Sequence, residues 1–142
     1  MPVTRMRREQ WNLMVIKKLS AGERHETNHP HHHGTGHLCD GVRIGRTSHR
    51  LRNPANAGAE WLQPLVEEYR QTAPGAEPQA IWIDDDTVGY VEPLYAGKPC
   101  LVCHGEAVAS DVLAEIRAIY PDDEAIGFRE GDFRGLVWVE IR

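Results

Sequence analysis

The chain has 142 residues, of which 41% are hydrophobic and 26% are charged, and its formal net charge is −5. These values indicate one globular domain with its own core and exclude a wholly disordered chain. The negative charge argues against nucleic acid as the main partner, since phosphate binding requires a basic surface. No apolar run approaches the roughly 18 residues that a membrane span needs. No signal peptide is recognisable either, because the apolar run Leu13–Ile16 ends at Lys17.

The first forty residues differ in composition from the rest of the chain. Arg8–Leu19 could form a short helix with its apolar residues on one side. Ser20–Asp40 is polar, is rich in turn-forming residues and holds six of the eight histidines. It shows no helical or strand period, which predicts loop or disorder. We therefore expect residues 1–40 to be an atypical, disordered segment and residues 41–142 to be the folded domain.

Regular elements are predicted after residue 40. In chain order they are a strand at 42–47, a turn at 52–58, a helix over Ala59–Gln71, a hairpin of strands at 79–83 and 88–95, a helix from an N-cap at Ser110 through Tyr120, a loop at 122–135 and a strand at 136–141. The helices are assigned from apolar residues at helical spacing, and the strands from β-branched and aromatic residues. Since strands and helices do not alternate as βαβ units, the order predicts an α+β fold with an antiparallel sheet flanked by helices.

A short motif, CLVCH, joins Cys100, Cys103 and His104. Covalent attachment of c-type haem uses two thiols in this spacing and a histidine beside the second to bind the iron. A zinc site would need a second ligand pair. A redox dithiol of the thioredoxin type would open a helix within a βαβ unit. Neither context is visible, so haem attachment is the favoured interpretation.

Other side chains are weaker candidates for the same site. Arg52, Arg129 and Arg134 are candidates to pair with haem propionates, because a guanidinium matches a carboxylate in geometry. An apolar pocket could be walled by Tyr95, Phe133 and Trp138. A histidine cluster could bind a transition metal, although a flexible tract without such a role is the simpler interpretation. The cluster consists of His29, His31, His32, His33 and His37.

Three blocks of the sequence, GVRIGRTSHRLRNPANA, VGYVEPLYAGKPCLVCHGE and YPDDEAIGFREGDFRGLVWVEI, carry a resemblance to a known family. Over Gly41–Arg142 the chain resembles the c-type haem domain of PAS-like fold that was first described in a cyanobacterium. That domain also forms the sensory part of bacterial kinases and chemoreceptors. The resemblance implies a PAS-like sheet and haem c attached through Cys100 and Cys103, with His104 as an axial ligand of the iron. It also implies a periplasmic location.

The resemblance further implies that an upstream cysteine can supply the second axial ligand. Cys39 is the candidate, although residues 1–40 lack a recognisable cysteine-bearing helix. The expected function is sensing of redox state or of a diatomic gas through bound haem. The alternatives are a soluble electron-transfer cytochrome with a redox partner protein and, less favoured, a non-haem metal-binding module. No nucleophile–base pair stands out, so we do not expect an enzyme.

Overall fold

The computed structural model describes residues 4–7, 9–10, 36–39 and 41–142. Its strands are β1 (Thr4–Arg5), β2 (Gly36–Cys39), β3 (Val42–Thr47), β4 (Gln79–Trp82), β5 (Val88–Tyr95) and β6 (Phe133–Ile141). Its α-helices after residue 40 are α1 (Gln63–Gln71), α2 (Leu101–His104) and α3 (Ser110–Ile119). Short 3-10 turns at Pro54–Asn56, Glu60–Leu62 and Lys98–Cys100 precede or extend these elements. None of the helices in these ranges is long and apolar enough to cross a membrane.

The six strands form one antiparallel sheet in the order β1-β4-β5-β6-β3-β2. Strands β4 and β5 make the predicted hairpin, and β6 pairs with β5 on one side and β3 on the other. The predicted α+β, PAS-like antiparallel sheet with flanking helices is therefore confirmed. The central place of β6 also brings the end of the chain beside the strand that opens the predicted domain.

The main core lies between α1 and one face of the sheet. Side chains at every second position of β6 share a face of the sheet, and Leu136 and Trp138 are both buried on the face that meets the helix. From α1, three side chains at helical spacing complete this core, namely Leu65, Val66 and Tyr69.

A second, smaller core lies under the CLVCH motif. It consists of Ala96, Ala125 and Phe128, all no more than 2% exposed, with the half-buried Leu101 packed against them. Leu101 belongs to the motif itself, so its burial anchors α2 to the loop between α3 and β6. One of the motif's own residues, Leu101, therefore holds the motif helix in place by packing into this small core.

Two short stretches of residues 1–40, which we expected to be disordered, are strands. Thr4–Arg5 is β1 and pairs with β4. Gly36–Cys39, which we expected to be loop or disorder, is strand β2 and pairs with β3. The backbone hydrogen bonds between β2 and β3 make Gly36–Cys39 a strand. Such bonds form without any alternation of polar and apolar side chains along the strand. The remainder of the predicted helix Arg8–Leu19 and of the segment Ser20–Asp40 lies outside the described residues, apart from Glu9 and Gln10, which are helical.

Helix α3 also departs from expectation at both ends. Its N-cap residue is Ala109, which provides no side-chain cap, so the predicted cap at Ser110 is wrong. At the other end Ile119, one of the apolar residues at helical spacing that we expected to turn inward, is 68% exposed. The helix ends two residues before Pro121. Val112 and Ile116, in its earlier turns, are half-buried, whereas its last turn lies beyond the part of the protein that covers them.

Candidate functional site

The CLVCH motif lies on a short helical segment between β5 and α3. A 3-10 turn with Pro99 near its start runs directly into α2. Positions three and four residues apart lie on one face of a helix, so Cys100, Cys103 and His104 share a face. Both cysteines are free thiols, Cys100 exposed and Cys103 half-buried. Two thiols and an imidazole are thus presented together from one turn of backbone.

The end of this helix is docked on the loop before β6. Gly105 ends α2, and a Cβ at this position would lie 2.5 Å from the Leu101 carbonyl oxygen, so only glycine fits. The backbone N–H of Phe128 donates to the His104 carbonyl at 2.9 Å, and the N–H of Gly127 donates to the Gly105 carbonyl at 2.9 Å. These bonds fix the direction in which the His104 ring leaves the backbone.

The His104 ring is held in one tautomer by a backbone carbonyl. Its Nδ1 lies 2.6 Å from the Ala125 carbonyl oxygen, and since that oxygen only accepts, Nδ1 carries the proton. Nε2 therefore keeps its lone pair, and Nη2 of Arg134 lies 3.5 Å from it. Burial lowers the pKa of His104 below its usual value, and the charges of Arg134 and Arg52 lower it further, partly opposed by the bond to Ala125 and by the Asp123 carboxylate. A neutral imidazole with an unprotonated Nε2 is the form that binds a metal.

Phe128 is the packing centre around this histidine. It is 1% exposed, and the His104 ring meets it edge-on with centroids 6.4 Å apart. The guanidinium carbon of Arg50 lies 3.9 Å from the centre of the Phe128 ring, and that of Arg134 lies 5.1 Å from it. One buried ring thus positions an imidazole and two cationic side chains.

A cavity of about 460 Å³ opens beside the motif, a volume within the range of small-molecule and cofactor sites. Cys100 and His104 line it together with Leu94, Tyr95 and Leu136. Four arginines also line it, and no aspartate or glutamate does so among the described residues. The arginines are Arg46, Arg50, Arg52 and Arg134.

The charge of Arg134 is only partly compensated. Burial lowers its pKa, and so do the nearby charges of Arg52 and Arg46, whereas the Asp123 carboxylate acts in the opposite direction. Its clearest hydrogen-bond partner is the neutral Ser48 hydroxyl, at 3.3 Å. A half-buried cation without its own carboxylate favours an anionic ligand in the cavity.

The structure separates the three arginines that the sequence suggested. Arg134 faces the cavity, as does Arg52, but Arg52 is engaged in an ion pair with Asp123 at 3.1 Å. Arg129 does not line the cavity. It is exposed and donates to the Glu106 carboxylate at 2.9 Å. Arg46 does line the cavity and was missed, because it lies in a strand whose pattern indicated only sheet structure.

The aromatic candidates divide in the same way. Tyr95 lines the cavity, whereas Phe133 and Trp138 are buried in the main core. Strand β6 turns Trp138 towards α1, and Phe133 stacks against Tyr69 with centroids 6.2 Å apart. The pocket wall is therefore formed by aliphatic residues, Tyr95 and Tyr120 rather than by the aromatic cluster that the sequence suggested.

The upstream metal-ligand candidates remain predictions. Cys39 is the last residue of β2 and pairs with Val42, while His37 pairs with Arg43. The other members of the histidine cluster lie outside the described residues. Over the ranges that the structure covers, no group of three His, Cys, Asp or Glu side chains is arranged to hold a metal ion.

His49, next to the site, makes folding stability depend on pH. Its ring stacks on Phe133 with centroids 5.8 Å apart, and burial, followed by the charges of Arg50, Arg70 and Arg134, lowers its pKa from 6.5 despite the opposing charge of Glu67. The unfolded chain then binds this proton more tightly than the folded one. Stability therefore falls as the pH drops below about 6.5.

Replacing His49 with phenylalanine should weaken this dependence, because the ring stays and the titrating nitrogen is removed. We expect the loss of unfolding free energy between about pH 7 and about pH 5 to be smaller in the variant than in the unaltered protein. Urea unfolding of the haem-free protein at several pH values measures it. His104 shifts in the same direction, so some dependence should persist. An unchanged pH dependence in the variant would contradict the assignment to His49.

Comparison with known proteins places these features in a family. The model of the Tll0287-like family matches residues 4–142. A crystal structure of the cyanobacterial heme-protein Tll0287 is similar, with 29% sequence identity and a TM-score of 0.59. The match covers 70% of this chain and 60% of that chain, so this chain corresponds to less than two thirds of that protein. No curated protein matches. Because the family model spans nearly the whole sequence, the chain belongs to the Tll0287-like family.

Proposed function

We propose that this protein binds haem c covalently through Cys100 and Cys103, with His104 as an axial ligand of the iron. One observation carries the proposal: both thiols and the unprotonated Nε2 of His104 lie on one helical face beside an arginine-lined cavity. The similar cyanobacterial structure is that of a heme-protein, which supports the same cofactor here.

The donor set fits this cofactor chemically. Each thiol can add its S–H across a vinyl group, so that a C–S bond forms and the hydrogen goes to the second vinyl carbon. The iron then supplies reversible one-electron chemistry and a position for a small ligand. Nδ1 of His104 is already bonded to the Ala125 carbonyl, at 2.6 Å, which orients the ring and raises the basicity of Nε2.

The arginines suit the two propionate groups. Arg134 is only partly compensated, and Arg46 is exposed at the rim of the same cavity. We assign the propionates to these two side chains. Arg129 is less suited because Glu106 already pairs with it outside the cavity. Each guanidinium can hold a carboxylate through two parallel hydrogen bonds.

The proposed role is sensing of redox state or of a diatomic gas, with a soluble electron carrier as the alternative. Beyond the motif, the described residues that line the cavity contribute guanidinium, amide, hydroxyl and aliphatic groups. Among the hydroxyls, the phenols of Tyr95 and Tyr120 can bind haem iron, but the Tyr95 oxygen already accepts from the Ala76 backbone N–H at 3.3 Å. The other groups compete weakly for iron, which favours a displaceable second ligand and hence sensing. Since c-type attachment takes place outside the cytoplasm, the proposed location is the periplasm. No step of this role requires catalysis of a substrate reaction.

Covalent attachment is tested by producing the chain with haem-maturation proteins and an export signal. We expect haem to stay with the polypeptide after denaturation and acid–acetone extraction, because thioether bonds survive both. Cys100→Ala and Cys103→Ala should each reduce retained haem several-fold, and together they should abolish it. Cys39→Ala is the matched control and should retain haem. Complete extraction of haem from the unaltered protein would overturn the proposal.

The same preparation separates the two roles. A displaceable ligand predicts that carbon monoxide changes the absorption spectrum of the ferrous protein. No spectral change would favour an electron carrier whose iron is saturated by protein ligands. A shift of the spectrum in the Cys39→Ala protein would identify that thiol as the second ligand.

A further inference from the structure

We infer that Arg52 and Asp123 are positioning residues that hold His104 in its Nδ1–H tautomer and orient the ring for iron. The inference deepens the proposed function, and it rests on that function only for its haem-based measurements. Neither residue needs to touch the cofactor for this role. Arg52 also lies beside the ring, with its Nη2 3.3 Å from Nδ1 of His104. Because a guanidinium only donates, this contact is not a hydrogen bond in the Nδ1–H form. The support for that tautomer therefore passes through the backbone on either side of the imidazole.

The first half of the arrangement holds the helix that carries the histidine. An Nη2 hydrogen of Arg52 is donated to the carbonyl oxygen of Cys103, at 2.8 Å. Cys103 directly precedes His104, and its carbonyl is among those that the last turn of a helix leaves without a partner. Arg52 therefore fixes the end of α2 at the residue next to the ligand.

The second half holds the carbonyl that the histidine uses. Asp123 accepts the backbone N–H of Ala125 through Oδ1 at 2.9 Å, while its Oδ2 lies 3.1 Å from Nη2 of Arg52. The Ala125 carbonyl is the acceptor of the His104 Nδ1–H. One carboxylate thus ties Arg52 to the short backbone segment that carries this acceptor.

A backbone bond closes the arrangement. The N–H of Glu124 donates to the Leu51 carbonyl at 2.9 Å, so the residues beside Arg52 and beside Asp123 are also joined directly. The side chain of Asp123 is 2% exposed and that of Arg52 is 19% exposed. Removing one partner of a pair this buried leaves the other charge poorly compensated, and the segment must shift to hydrate it.

The consequence for His104 concerns its two ring nitrogens. A neutral imidazole in water favours the proton on Nε2, the atom needed for iron, so the Nδ1–H form has to be selected by a fixed acceptor. Arg52 fixes the donor side and Asp123 fixes the acceptor side. The pair therefore keeps Nε2 unprotonated before any cofactor arrives.

The direct test is made on the haem-free protein. Nitrogen-15 NMR of His104 should show the Nδ1–H tautomer alone, whereas Arg52→Gln and Asp123→Asn should each admit a measurable Nε2–H fraction. Arg129→Gln is the matched control, because Arg129 has a carboxylate partner nearby but touches neither Cys103 nor Ala125. It should leave the tautomer unchanged.

Several outcomes would overturn the inference. An Nε2–H tautomer in the unaltered protein would do so at once, as would a pure Nδ1–H tautomer in folded Arg52→Gln or Asp123→Asn. If these variants do not fold, Arg52→Lys replaces them, since it keeps the charge but lacks the planar guanidinium that places Nη2 between the Cys103 carbonyl and the Asp123 carboxylate. It should show partial mixing, and a pure Nδ1–H form in it would contradict the role.

A haem-based measurement separates positioning from a simple effect of charge. The iron–histidine vibration of the ferrous protein should move to lower frequency in both Arg52→Gln and Asp123→Asn, because a weaker Nδ1–H bond makes the imidazole a weaker donor. Charge alone predicts opposite shifts, since one variant loses a positive group and the other a negative one. Opposite shifts would therefore overturn positioning. Failure of the proposed haem binding would leave the NMR result intact.

Discussion

Replacing Phe128 with alanine should lower the free energy of unfolding by about 3–5 kcal/mol, the usual cost of removing a fully buried aromatic ring. The ring is 1% exposed and lies in the small core under the motif. It also contacts His49 and His104 edge-on and lies under the guanidinium groups of Arg50 and Arg134. The cavity left behind would therefore disturb the site as well as the core.

Urea unfolding of the haem-free protein measures this loss. Phe128→Leu is the control, because it keeps much of the apolar volume while removing the aromatic face that the arginines use. We expect its loss to be clearly smaller than that of the alanine variant. A loss below about 1 kcal/mol in the alanine variant would show that the surroundings collapse onto the site and that Phe128 is not its packing centre.

Much of the fold could be predicted because the elements after residue 40 follow simple periods. Apolar residues at helical spacing marked α1, and β-branched residues marked β5 and β6. These signals are local, so they need no knowledge of distant residues. Strand β2 could not be found in this way, because its assignment depends on backbone pairing with β3 rather than on its side chains.

Residues of the candidate site could be named from the sequence only where they belong to a local motif with recognisable side-chain chemistry. The proposed haem-binding residues Cys100, Cys103 and His104 were named from their spacing alone. The acceptor of the His104 ring could not be, since the Ala125 carbonyl is a backbone atom present at every position. The links from Arg52 to Cys103 and Asp123 join residues far apart in the chain, and no local pattern marks them.

The arginines show why residue type alone does not decide a role. Arg129 and Arg134 are five positions apart and were equally good candidates for a carboxylate site. Arg129 lies in the exposed loop where Glu106 satisfies it, whereas Arg134 lies at the start of β6, half-buried and without a carboxylate of its own. The difference comes from the neighbour that the fold provides.

Replacing Gly135 with alanine should also be severely destabilising, by about 2–6 kcal/mol, if backbone strain and overpacking each cost about 1–3 kcal/mol. Gly135 has φ +152°, and a Cβ there would lie 2.3 Å from the Thr47 carbonyl oxygen, a contact that requires β3 or β6 to move.

The same movement should reach the cavity, because the Ser48 hydroxyl donates to the Arg134 carbonyl at 2.7 Å. Gly131→Ala is the matched control, since Gly131 has φ +88° but nothing within 4 Å of an added Cβ, and it should incur only the strain of about 1–3 kcal/mol. Urea unfolding of both variants separates the cost of backbone strain, which both share, from the cost of the close contact with Thr47, which only Gly135→Ala has. If Gly135→Ala costs no more than Gly131→Ala, the close approach of β6 to Thr47 is not what requires glycine at this position.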